Sequence, residues 1–317
     1  MRWLPLSLTL VLTTGLSLLS GCSDQQQDAL LEKAVAMARS AADLEVRQSQ
    51  LDDVTMSYLE RPADGPVMLL LHGFSANKDT WVKFAYELPE HYHLIIPDLA
   101  GHGDTPAPEG QNYDLIRQAE RLNQLMANLN LEQFHIAGNS MGGAISAIYA
   151  TLYPQQVQSL TLIDAAGVDA PNPSEYMQAL EQGKNPLIAT DAASFEYRLD
   201  FVMSQAPALP WPLRPALMRK TLARVDINQE IFSDMLATKE TLQQTGFEQK
   251  LTDVVTMPTL IIWGEEDRVL DVSAANVFKQ KLPHAEVHIL PQVGHLPMVE
   301  VPEQTAQLYS RFVATTE

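Results

Sequence analysis

Gly138-Asn139-Ser140-Met141-Gly142 is the stretch on which the fold turns. It reads G-x-S-x-G, the pattern of a nucleophilic serine on a sharp strand-to-helix turn. The apolar run before it, Phe134 to Ala137, fits a short buried strand. The run after it, Gly143 to Ala150, is small and apolar and fits a helix packed closely on that strand. A serine at such a turn sits in a tight backbone conformation, and small residues two positions away on either side relieve the crowding. It also lies at a helix N-terminus, where free N–H groups stabilise a developing oxyanion. The same five residues also describe an ordinary glycine-rich turn, so the reading depends on partners elsewhere in the chain.

Outward from the elbow, apolar strands alternate with helices. Val67 to Leu71 is a continuous apolar run, as expected of a strand buried on both faces. A helix is expected around Lys78–Leu88, a strand at His93–Ile96, and an amphipathic helix over Tyr113–Leu129. Further strands are read at Phe134–Gly138, Ser159–Ile163, Leu260–Trp263 and Val287–Leu290. Upstream, Leu44–Ser49 and Val54–Leu59 alternate around Asp52-Asp53 and read as an edge hairpin, preceded by a helix over Ala29–Ala42. This order predicts an α/β fold with a mostly parallel central sheet flanked by helices. Its ligand site belongs at the C-terminal ends of the strands.

The alternation stops over residues 168–255, which carry Pro171, Pro173, Pro186, Pro207, Pro210, Pro212 and Pro215 between helical segments. This stretch reads as an inserted helical cap, with residues 29–167 and 256–317 forming the core. Most of its aromatic residues fit a small core of the cap's own, with Phe201 and Trp211 the candidates to line the cleft instead. Some of them should also roof the site.

A serine nucleophile needs a base, an acid that orients the base, and oxyanion donors. At an elbow of this kind the chain order is serine, acid, histidine. Only His284, His288 and His295 follow Ser140. His288 lies inside an apolar strand and His284 in a strand-entry turn, whereas His295 sits in the loop after the last strand, where the base belongs. The acid should follow a late strand. Glu265, Glu266, Asp267 and Asp271 follow Leu260–Trp263, with Asp267 the best placed and Asp164, after Ser159–Ile163, a competitor. The oxyanion donors are assigned to the backbone N–H groups of Met141 and Phe74, with His72 supporting the Phe74 loop. Asp98 reads as a loop-stabilising residue rather than a member of the triad.

The chain has 317 residues, 46% of them hydrophobic, and a formal charge of −18. That balance opposes nucleic acid, which rewards basic patches, and anionic headgroups. A neutral small-molecule substrate fits it better. The single cysteine, Cys22, forbids an intramolecular disulfide. Met1-Arg2-Trp3, an apolar stretch over Leu4–Leu19 and then Leu19-Ser20-Gly21-Cys22 resemble a bacterial lipoprotein signal peptide. The resemblance implies cleavage after residue 21, lipidation of Cys22, a polar tether over 22–28 and a membrane partner through the lipid. By resemblance to the sorting rules of enterobacteria-like lipoproteins, Ser23 after the cysteine implies the outer membrane, facing the periplasm, although Asp24 stands close by. An uncleaved N-terminal anchor is the alternative. For oligomeric state, a monomer is favoured.

Several runs now fall into one pattern. Leu71-His72-Gly73-Phe74-Ser75-Ala76-Asn77-Lys78-Asp79-Thr80-Trp81 is followed by Pro97-Asp98-Leu99-Ala100-Gly101-His102-Gly103-Asp104 and the elbow. Trp263-Gly264-Glu265-Glu266-Asp267 and Gly294-His295 complete the set. In this order they resemble the α/β-hydrolases, and are similar to the cold-adapted bacterial lipases and the membrane-associated monoacylglycerol lipases. The resemblance implies hydrolysis of carboxylic esters such as acylglycerols, with no metal or organic cofactor. A C–C bond hydrolase, a perhydrolase or a polyester depolymerase shares the same residue set. A non-catalytic surface lipoprotein is the reading from a different class.

Overall fold

The computed structural model describes residues 22–107 and 112–316. The signal segment expected over 1–21 lies outside them. The strands are β1 (Glu45–Gln50), β2 (Thr55–Arg61), β3 (Val67–Leu71), β4 (His93–Pro97), β5 (Phe134–Asn139), β6 (Val157–Ile163), β7 (Thr259–Gly264) and β8 (Glu286–Leu290). They form one sheet in the order β1-β2-β4-β3-β5-β6-β7-β8. β2 pairs antiparallel with β1 and β4, while the pairs from β4 through β8 are parallel. The expected edge hairpin and every expected core strand are present, with bounds shifted by one or two residues.

Helices α1 (Asp24–Ala41), α2 (Val82–Glu87), α3 (Leu115–Asn128) and α4 (Met141–Leu152) belong to the first half. Between β6 and β7 come α5 (Glu175–Glu181), α6 (Ala192–Val202), α7 (Leu213–Leu222), α8 (Val225–Gln244) and α9 (Phe247–Val254). The chain ends with α10 (Ser273–Lys281), α11 (Pro297–Glu300) and α12 (Pro302–Ala314). Successive strand residues serve opposite faces of the sheet. Leu69, Leu71, Ile95, Ile136 and Ile261 enter one core with residues of α3, α4 and α10. Met68, Leu70, Leu94, Ile96, Ala137 and Ile262 enter a second core with residues of α2 and α12. The continuous apolar runs of β3, β4 and β7 are thus explained: each of these strands supplies both cores.

Two expectations need correction. Residues 23–28 are not a tether. Ser23 and Gln26 form a capping box, and Asp24–Asp28 are the first turn of α1. Arg219 of α7 fixes that turn, bonding Asp24 Oδ1 at 3.0 Å, Gln27 Oε1 at 2.9 Å and Asp28 Oδ1 at 2.6 Å. A helix start built from polar caps and ion pairs leaves no apolar period to read. The second concerns the end of the inserted stretch. α9 packs against α4 and α10, within the layer that covers the sheet, and buries Phe247 and Leu251 in the main core.

His135 in β5 illustrates what burial costs. It is 2% exposed, with Nδ1 2.8 Å from Ser159 Oγ. Burial pushes its pKa down to about 4. Above pH 6.5 it is neutral in both the folded and unfolded chains and costs nothing. As the pH falls from 6.5 to 4, the unfolded chain takes up a proton that the native one refuses. Stability then falls by up to about 3 kcal/mol. Buried His72 and His102 are shifted the same way, with burial the main cause. Measured against wild type, His135→Gln should flatten the decline of Tm between pH 6.5 and 4 by one proton's worth. Equal slopes would contradict this assignment.

Candidate active site

The site is assembled at the C-terminal edge of the sheet. Strand register places Leu71 of β3 beside Gly138 of β5, and Asn139 beside Ile163 of β6. The loops after β3, β5 and β6 therefore emerge side by side. Ser140 follows β5 with φ 56° and ψ −120°, a conformation L residues rarely adopt. Its N–H bonds the carbonyls of Ile163 and Asp164, both at 3.1 Å, and its carbonyl accepts from Ala166 N at 3.0 Å. The surrounding structure thus over-determines the strained turn. The glycines are a steric requirement. A Cβ on Gly138 would lie 2.1 Å from the Gly142 carbonyl oxygen, and one on Gly142 would lie 2.3 Å from that of Leu71.

Asp267 and His295 come together from the loops after β7 and β8. His295 Nδ1 lies 2.7 Å from Asp267 Oδ2, and the two residues are 4% and 8% exposed. The other carboxylate oxygen accepts from Val269 N at 2.7 Å and Leu270 N at 3.1 Å. These bonds aim the carboxylate at the Nδ1 edge of the imidazole. Glu265 and Glu266 are exposed in the preceding turn. His295 N donates to the carbonyl of Val202 at 3.0 Å. Asn139 joins the two halves: its Nδ2 donates to the carbonyls of Ile163 at 3.2 Å and His295 at 3.0 Å.

The loop after β3 faces the elbow. A Cβ on Gly73 would lie 3.1 Å from Ser140 Cβ, so Phe74 follows directly on the residue that touches the serine. Neither Phe74 N nor Met141 N donates to another group among the described residues. Both belong to the buried core, and Phe74 packs on Phe232 of α8 with ring centroids 5.9 Å apart. His72 is fully buried, with Nδ1 2.8 Å from the Gly73 carbonyl and Nε2 accepting from Leu99 N at 3.1 Å. Asp98 accepts from Lys78 Nζ, from Lys78 N at 2.8 Å and from Asp104 N at 2.7 Å. It is spent on holding loops.

Arg198 and Asn139 contribute contacts that sequence reasoning missed. From α6, Arg198 donates to Ser75 Oγ at 3.0 Å, to the Ser75 carbonyl at 3.3 Å and to the Leu187 carbonyl at 3.2 Å. It ties the insertion to the residue after Phe74. No acidic side chain bonds it among the described residues, and burial lowers its pKa to about 10. Its only sequence signal is a cation inside the aromatic run Phe195-Glu196-Tyr197-Arg198. The roles expected for other residues shift. Trp211 is 60% exposed, while Phe201 is 2% exposed beneath the Arg268 guanidinium, 4.6 Å from its ring centroid. His288 is half-buried on the edge strand and bonds Glu286. Cys22 stands just before the cap of α1, outside this cluster.

A parallel sheet with an elbow serine and a buried acid–histidine pair at its strand ends defines a class of serine hydrolase. Residues 66–302 match the alpha/beta hydrolase fold family, and the chain belongs to it. It is 33% identical to Lipase 1 of Psychrobacter immobilis, over 90% of this chain and 89% of that one. It is 31% identical to Monoacylglycerol lipase ABHD6 of Homo sapiens, over 82% of this chain and 78% of that one. A solved structure of a bacterial membrane phospholipase A is 39% identical with a TM-score of 0.86, covering 97% of this chain and 96% of that one. The protein is a serine ester hydrolase.

Proposed function

We propose that the protein hydrolyses carboxylic esters of the acylglycerol class through an acyl-enzyme on Ser140. The observation that carries this is the 2.7 Å bond from His295 Nδ1 to Asp267 behind a serine held at φ 56°. His295 Nε2 takes the Ser140 proton as Oγ attacks the ester carbonyl. The oxyanion rests on the N–H groups of Phe74 and Met141. Collapse of the tetrahedral adduct breaks the ester C–O bond, and His295 gives its proton to the leaving alkoxide. Water then repeats the sequence on the acyl-serine, freeing the fatty acid and Ser140. Asp267 keeps its charge throughout and stabilises the imidazolium.

The body sits at the bacterial envelope, anchored by a lipid on Cys22 in the outer membrane and facing the periplasm. Among the described residues no helix is long and apolar enough to cross a membrane. Cys22 immediately precedes α1, whose first turn Arg219 binds to α7. An anchor there would hold the insertion close to the lipid surface. A phospholipid ester is the second reading, supported by the likeness to the membrane phospholipase A.

The test is turnover by the purified protein of p-nitrophenyl esters from butyrate to palmitate, of 1-monoacylglycerols, and of phosphatidylglycerol micelles. Monoacylglycerol and aryl esters should be cleaved. Faster cleavage of phosphatidylglycerol selects the second reading. Loss of a C–C bond hydrolase substrate with every ester left intact would overturn both. In cells, Cys22→Ala should move the activity out of the membrane fraction; unchanged sedimentation would contradict the lipid anchor.

A further inference from the structure

Asp164 directly follows β6, beside the elbow, and the reaction above makes no use of its side chain. Its backbone is committed: φ is 43°, and its carbonyl accepts from Ser140 N. The side chain is fully buried. Oδ1 accepts from Gly264 N at 2.8 Å, at the end of β7, whose following loop carries Asp267. Oδ2 meets no N–H or O–H donor among the described residues, and its hydrogen-bonding neighbour is the Asp267 carboxylate, itself an acceptor. Asp164, Asp267 and His295 each place a polar atom within 4.8 Å of the others.

Two carboxylates this close, both shielded from water, do not both ionise. Asp267 carries the charge, because it has two N–H donors and the imidazole, while Asp164 has only one donor. Burial and the Asp267 charge together raise the pKa of Asp164 well above the usual carboxylate range. A proton on Oδ2 lets it donate toward the Asp267 carboxylate and removes the cost of a second buried charge.

We propose that Asp164 is a positioning residue that shares one negative charge with Asp267, holding the proton of the pair and standing as a reserve acid behind His295. The proposal rests on the triad reading. While Asp267 is charged, protonated Asp164 stays neutral beside it. If Asp267 loses its charge, the repulsion that keeps Asp164 protonated goes with it. Asp164 then releases its proton to solvent and supplies the carboxylate that the imidazolium needs.

The experiment is a double-mutant cycle on kcat and KM with a p-nitrophenyl ester. Asp164→Asn keeps a neutral donor and should lower kcat only about 5-fold, the scale of one hydrogen bond. Asp267→Asn should lower kcat about 100-fold, less than the roughly 10⁴-fold expected where no second acid exists. Asp164→Asn added to Asp267→Asn should cost about another 100-fold in kcat with KM unchanged. A double variant no slower than Asp267→Asn, or slower only by the 5-fold of the single change, overturns the proposal. If Asp267→Asn and the double variant both keep wild-type kcat, the triad reading itself fails. Infrared spectroscopy gives a readout that does not need the double variant to fold. Wild-type protein at pH 7 should show a buried carboxylic-acid C=O stretch that disappears in Asp164→Asn. Its absence from the wild type overturns the proposal.

Discussion

Replacing Ser140 by alanine should lower kcat on any ester substrate by about 10⁵-fold or more, the scale of nucleophile loss in triad enzymes. The methyl side chain keeps the backbone bonds to Ile163, Asp164 and Ala166, so folding should be little changed. His295→Ala should cost as much, because serine and imidazole act as one unit in the attack. Combining the two should cost little more than either alone. Steady-state kinetics on the three variants, with circular dichroism to confirm folding, checks this. Losses that multiply would mean that the two residues work independently, against the reaction described.

The largest expected effect on stability is at Lys78. Its side chain is 1% exposed, and Nζ bonds both Asp98, which is fully buried, and Asp104 at 2.6 Å. Removing one member of a buried pair strands the other charge, which costs about 3–5 kcal/mol. Lys78→Met should therefore lower Tm by on the order of 10 °C. Replacing Asp98 by asparagine in the same chain should recover part of the loss, since the stranded charge is gone and the amide oxygen still accepts from Lys78 N. Differential scanning calorimetry distinguishes the cases. A loss below about 1 kcal/mol would place the pair among screened surface contacts.

The legible parts of this protein share a physical cause. Strands β3, β4 and β7 could be read because burial on two faces forces apolar runs such as Met68-Leu69-Leu70-Leu71. The elbow was visible because backbone crowding leaves room only for hydrogen at 138 and 142. Asp267 and His295 were legible from chain order and from their places after late strands, and the structure joins them at 2.7 Å.

What was hidden depends on long-range polar contacts, which leave no periodic trace. The bond from Asn139 to the His295 carbonyl spans 156 positions, and the one from Arg198 to Ser75 spans 123. The early start of α1 depends on Arg219, in a different part of the chain. His288 looked internal because its neighbours are apolar. That β8 is an edge strand follows from strand order, which a single sequence does not contain. Asp164 was noticed as a rival acid, and its pairing with Asp267 emerged only when β6 and β7 were laid side by side.

The central claim is that Ser140 is the nucleophile. Its most direct measurement is covalent capture with an alkylphosphonate bearing a p-nitrophenyl leaving group, read by mass spectrometry. The phosphonyl group imitates the tetrahedral adduct and leaves a stable bond on the attacking oxygen. The account predicts one equivalent of label, located on the peptide containing Ser140, with activity lost in proportion. Label on another residue, or full inhibition with Ser140 unmodified, would contradict it.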